Sequence, residues 1–513
     1  MHSKIFSATT IGVNAHTVEV EVDLSLGMLQ FHIVGLPDIA IKESKQRINA
    51  ALKNSGVRLP ERKITVNLAP ANLKKEGTLF DLPIAIGILQ ASGFLAISSK
   101  YVRETLFLGE LALNGDIRPI RGALVIAFEA IRLHKKRLIL PRDNAREAAH
   151  IKNIEVIGVN SIVELIAFLK NEITITPAVI NISTNSFQSH GTLDFRQVKG
   201  QSQAKRALQI AAAGRHNILF IGPPGSGKTM LAKRLSTIMP PMHFEEMVET
   251  TKIYSVSGKL NDHKIIQNRP FRNPHHTISQ VGLIGGGSSP QPGEVSLSHN
   301  GVLFLDELLE FRRTTLEALR QPLEDKSVQI SRAHYNVSFP ASFLLVVALN
   351  PCPCGYFGDK RKECRCSHQQ IERYMEKLSG PLLDRIDIQV PVQSIKYEEL
   401  KGLEENEYSS AQLYKGITKA VVHQQNRFHN NFSTNAMMQS NEIQQFCLLT
   451  PQAEFLVKKA FQSLSLSMRG YHKILKVART IADFSESEYI DTPHIQEAIM
   501  YRSLDKMFEK QAI

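Results

Sequence analysis

Apolar and polar residues alternate in short runs near the start of the chain. Val18-Glu19-Val20-Glu21-Val22 and Ile64-Thr65-Val66-Asn67-Leu68 carry the period of two that predicts strands, and Arg137-Leu138-Ile139-Leu140 reads as another. Between them Ile41–Ser55, Leu82–Ala91 and Ala123–Leu133 carry helix-like patterns, so the stretch from Ile5 to about Lys170 is read as a mixed α/β domain. From Asn171 to His190 the chain turns polar and rich in Ser, Thr and Asn, with neither period sustained, and is read as an exposed linker. Residues from about 194 to 393 alternate buried-type strands with helices. The remainder is helix-rich, with a capping start at Thr492-Pro493. The expected organisation is a first domain over 1–172, a linker over 173–192, an α/β core over 193–394 and a helical domain over 395–513.

Three apolar runs in the α/β core end in chemistry. Ile218-Leu219-Phe220-Ile221 has the continuous apolar character of a buried parallel strand and feeds Gly222-Pro223-Pro224-Gly225-Ser226-Gly227-Lys228-Thr229, a full P-loop pattern. The glycines let backbone N–H groups close around phosphates, Lys228 reaches the β/γ oxygens, and the Thr229 hydroxyl coordinates Mg²⁺. Met230–Met239 is the expected helix whose N-terminus faces the anion. Gly301-Val302-Leu303-Phe304-Leu305-Asp306-Glu307 is a second such strand, delivering two acids to the same crevice: Asp306 to hold Mg²⁺ and Glu307 to orient the attacking water. Phe343–Leu349 delivers Asn350 there, to bond the γ-phosphate or the water.

Charge and cysteine count narrow the class. Among 513 residues, 61 Lys and Arg stand against 49 Asp and Glu, a net +12 that favours a polyanionic partner such as nucleic acid. No stretch approaches the ~20 uninterrupted apolar residues of a membrane span, and the opening residues lack a signal-peptide core, so a cytoplasmic protein is expected. Four of the five cysteines, Cys352, Cys354, Cys364 and Cys366, fall in one short window spanning 352–368 with His368. That clustering points to tetrahedral Zn²⁺ rather than a disulfide framework, with His368 as a replacement ligand should the short C-x-C gaps strain the site. The loop also carries Lys360, Arg361, Lys362 and Arg365, cations either for phosphate contact or for a solvated face. Between Lys228 and Asp306 the Gly- and Pro-rich interval marks an insertion, in which Arg269, Phe271, Arg272, His275 and His276 offer cations and ring faces either to DNA or to internal packing. Val328–Ile330 and Asn336–Phe339 read as a hairpin whose tip, with Arg332 and Tyr335, is a second DNA-contact candidate.

Taken with the P-loop, Val198-Lys199-Gly200-Gln201, Asn350, Leu382-Leu383-Asp384-Arg385 and Ser467-Met468-Arg469-Gly470 resemble an AAA+ ATPase of the magnesium-chelatase branch. Arg272-Asn273-Pro274-His275-His276-Thr277, Gly285-Gly286-Gly287, Pro292-Gly293-Glu294 and Asn350-Pro351-Cys352-Pro353-Cys354-Gly355 resemble the ComM/YifB family more narrowly, and the resemblance covers essentially the whole chain. It implies a P-loop AAA+ core with a helical lid, ATP and Mg²⁺ as cofactors, and a homo-hexameric DNA motor. The family is associated with branch migration during natural transformation, so single-stranded and branched DNA and recombination proteins are the implied partners. Val198, Gly200 and Gln201 would join the nucleotide site, and Asn350 would be sensor 1. Arg385 would be the arginine finger acting on a neighbour's nucleotide, and Arg469 the sensor 2 arginine within its own subunit. From the residues alone Arg385 equally suits a structural ion pair, and Arg469 a solvated face.

Pro70–Ala85 resembles the active-site segment of the Lon peptidase domain, but no serine stands between Gly77 and Pro83. The later segment Asn114–Ala127, similar to the one bearing Lon's lysine, is apolar from Ala123 to Ala127. A Ser–Lys dyad needs both partners, so a Lon-like α/β domain without peptidase activity is expected. Lys74 and Lys75 are read as surface cations. The rival functions are a metal-insertion ATPase subunit of the chelatase type and a nucleotide-switched assembly scaffold.

Overall fold

The computed structural model describes every residue except 29, 60, 180–192, 261–263, 288–289, 333–334, 360, 395–407, 431–432, 464–465 and 503–513, and describes the backbone alone at 332 and 335. The expected linker from 180 onward, Lys360, and the side chains of Arg332 and Tyr335 therefore lie outside the described residues. The chain forms two compact units: Met1–Asn185 with Met247–Ile266 and Tyr335–Ser338, and Ser186–Glu246 with Gln267–His334 and Phe339–Ile513.

In the first unit a four-stranded sheet runs in the order His2–Ile11, Asn14–Ser25, Lys63–Ala69, Gln30–Val34, antiparallel except for the last pair. The predicted alternation becomes register: Val18, Val20 and Val22 are buried, as are Ile64, Val66 and Leu68, and Val22 stands opposite Val66. A three-stranded parallel sheet of Thr105–Phe107, Arg137–Pro141 and Glu155–Val159 completes the α/β character. Helix Asp81–Ala91 is buried except at Gln90, and its first residue carries a buried charge. Arg47 grips the Asp81 carboxylate through two hydrogen bonds of 2.6 and 2.9 Å, and the N–H of Leu111 donates to it at 3.2 Å. Burial pushes the Asp81 carboxyl up in pKa while Arg47 pulls it back, the balance that keeps a buried ion tolerable.

One expectation changes here. Lys75 is not a surface cation: its side chain is fully buried and its ammonium donates to the carbonyl of Pro70. A lysine whose stem lies in an apolar core satisfies its head on whatever backbone oxygen is within reach. Lys74 does stay half-exposed, beside Glu76 at 2.7 Å. The segment Met247–Ile266 packs into this first unit, contributing Val248, Val256 and Ile265 to its apolar core and donating from Ile265 N to His150 Nε2 at 3.1 Å.

In the second unit a parallel sheet runs in the order Phe271–Arg272, Val302–Leu305, Leu344–Leu349, Ile218–Ile221, Ile388–Pro391. Strands buried on both faces must be apolar throughout, which is why Ile218–Ile221 and Leu344–Leu349 stand out as unbroken runs. The helices Ser410–Phe428, Pro451–Ser463, Met468–Phe484 and Thr492–Met500 share one apolar core with this sheet.

Candidate active site and metal centre

All five strands of this sheet run the same way, so their C-terminal ends open on one crevice. The P-loop leaves Ile221 there. Gly227 turns at φ 92°, and helix Lys228–Leu235 starts at once, two residues earlier than expected, with its free N–H groups facing the loop. The Lys228 ammonium donates to the carbonyls of Gly222 at 2.6 Å and Pro223 at 2.9 Å and to Asn350 Oδ1 at 3.1 Å. Burial holds its pKa down at about 8, against the pull of Asp306 and Glu307, as befits an ammonium whose natural counter-charge is a polyphosphate. Thr229 Oγ1 donates to Asp306 Oδ2 at 2.6 Å, bringing together the two oxygens a Mg²⁺ ion takes in such sites. Gln201 Nε2 reaches the carbonyls of Ser226 at 3.5 Å and Gln393 at 2.6 Å, while Val198 is buried in the adjoining core and Gly200 turns at φ 59°.

Glu307 leaves the strand in the left-handed region at φ 51°, with its side chain 57% exposed. A glutamate rarely adopts that geometry. His276 Nδ1 stands 3.8 Å from Glu307 Oε2, and its ring stacks on His275 at 4.1 Å between centroids and meets Phe311 edge-on. His276 thus stands beside Glu307 at the strand-end crevice. The reason is topological: Phe271–Arg272 is the fifth strand of the core sheet, parallel to Val302–Leu305, so the residues after it arrive beside Glu307. His276→Ala is expected to lower turnover by about ten- to a hundred-fold through misplacement of Glu307, with ATP affinity and DNA affinity unchanged. Steady-state kinetics beside equilibrium binding checks it, and a fall in DNA affinity at normal turnover would support the DNA assignment instead.

Other members of the insertion have internal partners. Arg269 is buried on Glu246, at 2.9 and 3.0 Å, and on the carbonyls of Pro240, Pro241 and Asn300. Arg272 makes a two-toothed pair with Glu294, at 2.5 and 2.8 Å, and Phe271 packs on Phe304. His275 remains exposed. In the cysteine loop Arg361 faces Asp359 at 3.7 Å, Lys362 lies over the Tyr356 ring, and Arg365 is exposed.

The four sulfurs of Cys352, Cys354, Cys364 and Cys366 all lie within 4.8 Å of one another, with pairs at 3.4 and 3.6 Å. Tetrahedral Zn²⁺ with bonds of about 2.3 Å asks for sulfurs about 3.8 Å apart, so the cluster fits the ion. Backbone N–H groups, that of Tyr356 foremost, hold the Cys354 thiol down at about 6. His368 is not a spare ligand: it opens helix His368–Met375 and turns outward to Glu372 at 3.2 Å. The loop abuts the P-loop, since a Cβ on Gly355, at φ 85°, would fall 2.5 Å from Pro224 Cδ. One Zn²⁺ per chain is therefore expected by elemental analysis. Stripping it is expected to weaken ATP binding by at least severalfold, because closed thiolate sites couple metal to local folding. Zinc-free protein from zinc-replete cells would contradict this.

The two late arginines lie elsewhere. Arg385 precedes strand Ile388–Pro391, and Asp387 just after it exchanges backbone and side-chain bonds with Asn217, at the start of Ile218–Ile221. Both therefore sit at the N-terminal edge of the sheet, opposite the P-loop. Arg385 is mostly buried, donating to the Pro381 carbonyl at 2.5 Å and to Glu324 at 2.5 Å. Arg469 is exposed and reaches the same Glu324 oxygen at 3.4 Å, while Lys473, one turn on, pairs with Asp387 at 3.3 Å. That placement sets Arg469 beside Arg385, at the edge of the sheet away from the P-loop. Glu324, which gathers both arginines, had no signal in the sequence.

A parallel five-stranded sheet with P-loop, strand-end acids and an asparagine at one edge defines the AAA+ class of P-loop ATPases. The chain belongs to its ComM/YifB family, in the magnesium-chelatase-like branch. Residues 194–400 match the model described as magnesium chelatase, subunit ChlI, residues 20–144 that of subunit ChlI of Mg-chelatase, and residues 407–502 that of the ChlI C-terminal region. The chain is 43% identical over 509 residues to the competence protein ComM of Haemophilus influenzae, covering 99% of this chain and 98% of that one. It is 40% identical over 505 residues to the uncharacterized protein YifB of Escherichia coli, covering 98% of each. Lon protease 2 of Bacillus subtilis is 30% identical over 151 residues, 28% of this chain and 27% of that protein, a similarity that falls in the N-terminal region. No described helix is long and apolar enough to cross a membrane.

Proposed function

We propose that this chain is an ATP-driven DNA motor, a branch-migration helicase working as a homo-hexamer in the cytoplasm during natural transformation. The observation that carries the reading is the separation of the hydrolytic groups. Lys228, Thr229, Asp306, Glu307 and Asn350 gather at one edge of the sheet, while Arg385 and Arg469 stand together at the other. A single lysine leaves much of the transition-state charge uncompensated, and two arginines that face away from their own nucleotide suit a neighbour's. Both are therefore assigned in trans. Zn²⁺ in the cysteine loop would brace the P-loop, and DNA would meet His275, the hairpin around Arg332 and Tyr335, and the loop cations Lys360, Arg361, Lys362 and Arg365. The similarity to a competence protein supports DNA as the partner, as does the net +12 charge. The Lon-like domain lacks the dyad and serves ring assembly.

The chelatase names of the family models favour one second reading, a metal-insertion ATPase. ATP turnover at fixed ionic strength with single-stranded, duplex and branched DNA decides between them. Stimulation, greatest with branched DNA, is expected. Turnover indifferent to every DNA at low salt would sink the motor reading.

A further inference from the structure

Beside Arg385 lies a cavity of about 520 Å³ lined by six cationic side chains and only three carboxylates. Two of the three carboxylates are already engaged, Glu324 by Arg385 and Arg469, and Asp387 by Lys473 and the backbone N–H of Asn217, which leaves Asp384 as the third. Lys476 donates to the carbonyl of Ala436 at 3.0 Å. Lys326 differs from its neighbours, because its ammonium has no hydrogen bond or ion pair among the described residues. Its backbone is fixed, ending helix Arg320–Asp325 at φ 54° with its N–H on Pro322 O and its C=O accepting from Ala341 N at 2.8 Å. Burial depresses its pKa despite the pull of Asp387, and the charges of Arg215 and Lys476 depress it further.

A half-buried ammonium short of counter-charge, in a cavity with surplus positive charge, is costly when empty and strongly attractive to an anion. Arginines beside it offer the planar donors that match phosphate oxygens. We infer that this cavity is a phosphate receptor, and that Lys326 is its third cation beside Arg385 and Arg469, taking terminal phosphate oxygens of the ATP held by an adjoining copy of this chain. Glu324 stands in for the phosphate until that copy arrives. The assignment rests on the trans reading of the two arginines. The same chemistry would also accept a free polyphosphate.

Mixed rings separate these cases. Lys326→Ala is expected to keep ATP affinity within about twofold and to lose about tenfold or more in turnover, the scale of one charge-stabilising donor. Lys326→Arg should recover most of it. Mixing Lys326→Ala with the P-loop variant Lys228→Ala should restore turnover, because some interfaces then pair an intact receptor with an intact nucleotide site. Mixing it with Arg385→Ala should restore nothing, because every interface then lacks one member of the same receptor. If Lys228→Ala and Arg385→Ala complement each other while Lys326→Ala turns over normally, the receptor is wrong and the trans reading stands. If that first pair fails to complement, the trans reading falls, and this inference with it. Saturable binding of inorganic pyrophosphate to dilute Lys228→Ala chains, lost on adding Lys326→Ala, together with normal turnover of Lys326→Ala alone, would assign the cavity to a free polyphosphate and overturn the assignment to a neighbour's nucleotide.

Discussion

Glu307→Gln protein is expected to bind ATP as tightly as the parent chain and to hydrolyse it about 10²–10⁴ times more slowly, the range of a positioned general base. The amide keeps the size and the left-handed turn of Glu307, so the P-loop, Thr229 and Asp306 are undisturbed. Only the capacity to orient and deprotonate the attacking water is lost. Lys228→Ala should differ in kind. Its ammonium ties two P-loop carbonyls to Asn350, so the loss is expected to fall on nucleotide binding itself. Equilibrium binding of a fluorescent nucleotide alongside steady-state turnover distinguishes the two. Equal turnover in Glu307→Gln and parent protein would remove Glu307 from the mechanism.

Arg385→Ala is expected to be nearly inactive although its own nucleotide site is whole, since an arginine supplied from a neighbour contributes about 10³–10⁵ in turnover. Activity should reappear on mixing with equally inactive Lys228→Ala protein. The geometry behind this is specific. Arg385 is held by Pro381 and Glu324 at the edge of the sheet where strand Ile388–Pro391 begins, opposite the P-loop. Arg469→Ala should follow the same pattern with a smaller loss, its guanidinium being the more exposed and the more loosely held of the two. Full turnover of Arg385→Ala at concentrations too low for assembly would contradict the trans assignment.

The sequence carried the local parts of this site and missed the distant ones. Ile218–Ile221 and Leu344–Leu349 were legible because burial on both faces demands unbroken apolar runs, and the P-loop because its chemistry lies in contiguous residues. The cysteine cluster was legible from spacing alone. For Arg269 and Arg272 the choice between DNA contact and internal packing stayed open because their partners, Glu246 and Glu294, lie more than twenty residues away. Lys75 looked solvated because nothing in its neighbours announces burial under a backbone carbonyl. The approach of His276 to Glu307 was not legible because the brief strand Phe271–Arg272 is too short to show a period. The placement of Arg469 was not legible for a related reason: which edge of a sheet a helix reaches is set by tertiary packing, not by its own motif.

The central claim is that ATP turnover moves a DNA junction, and a synthetic four-way junction with labelled arms tests it most directly. At one fixed, low ionic strength, needed because phosphate contacts can lose about 10³-fold or more in affinity between roughly 50 and 200 mM salt, the parent chain with ATP and Mg²⁺ should convert the junction into its branch-migrated products. Glu307→Gln protein should bind the same junction and leave it unmoved. A junction that stays intact with fully ATPase-active parent protein bound to it, or that migrates equally with Glu307→Gln protein, would contradict the account.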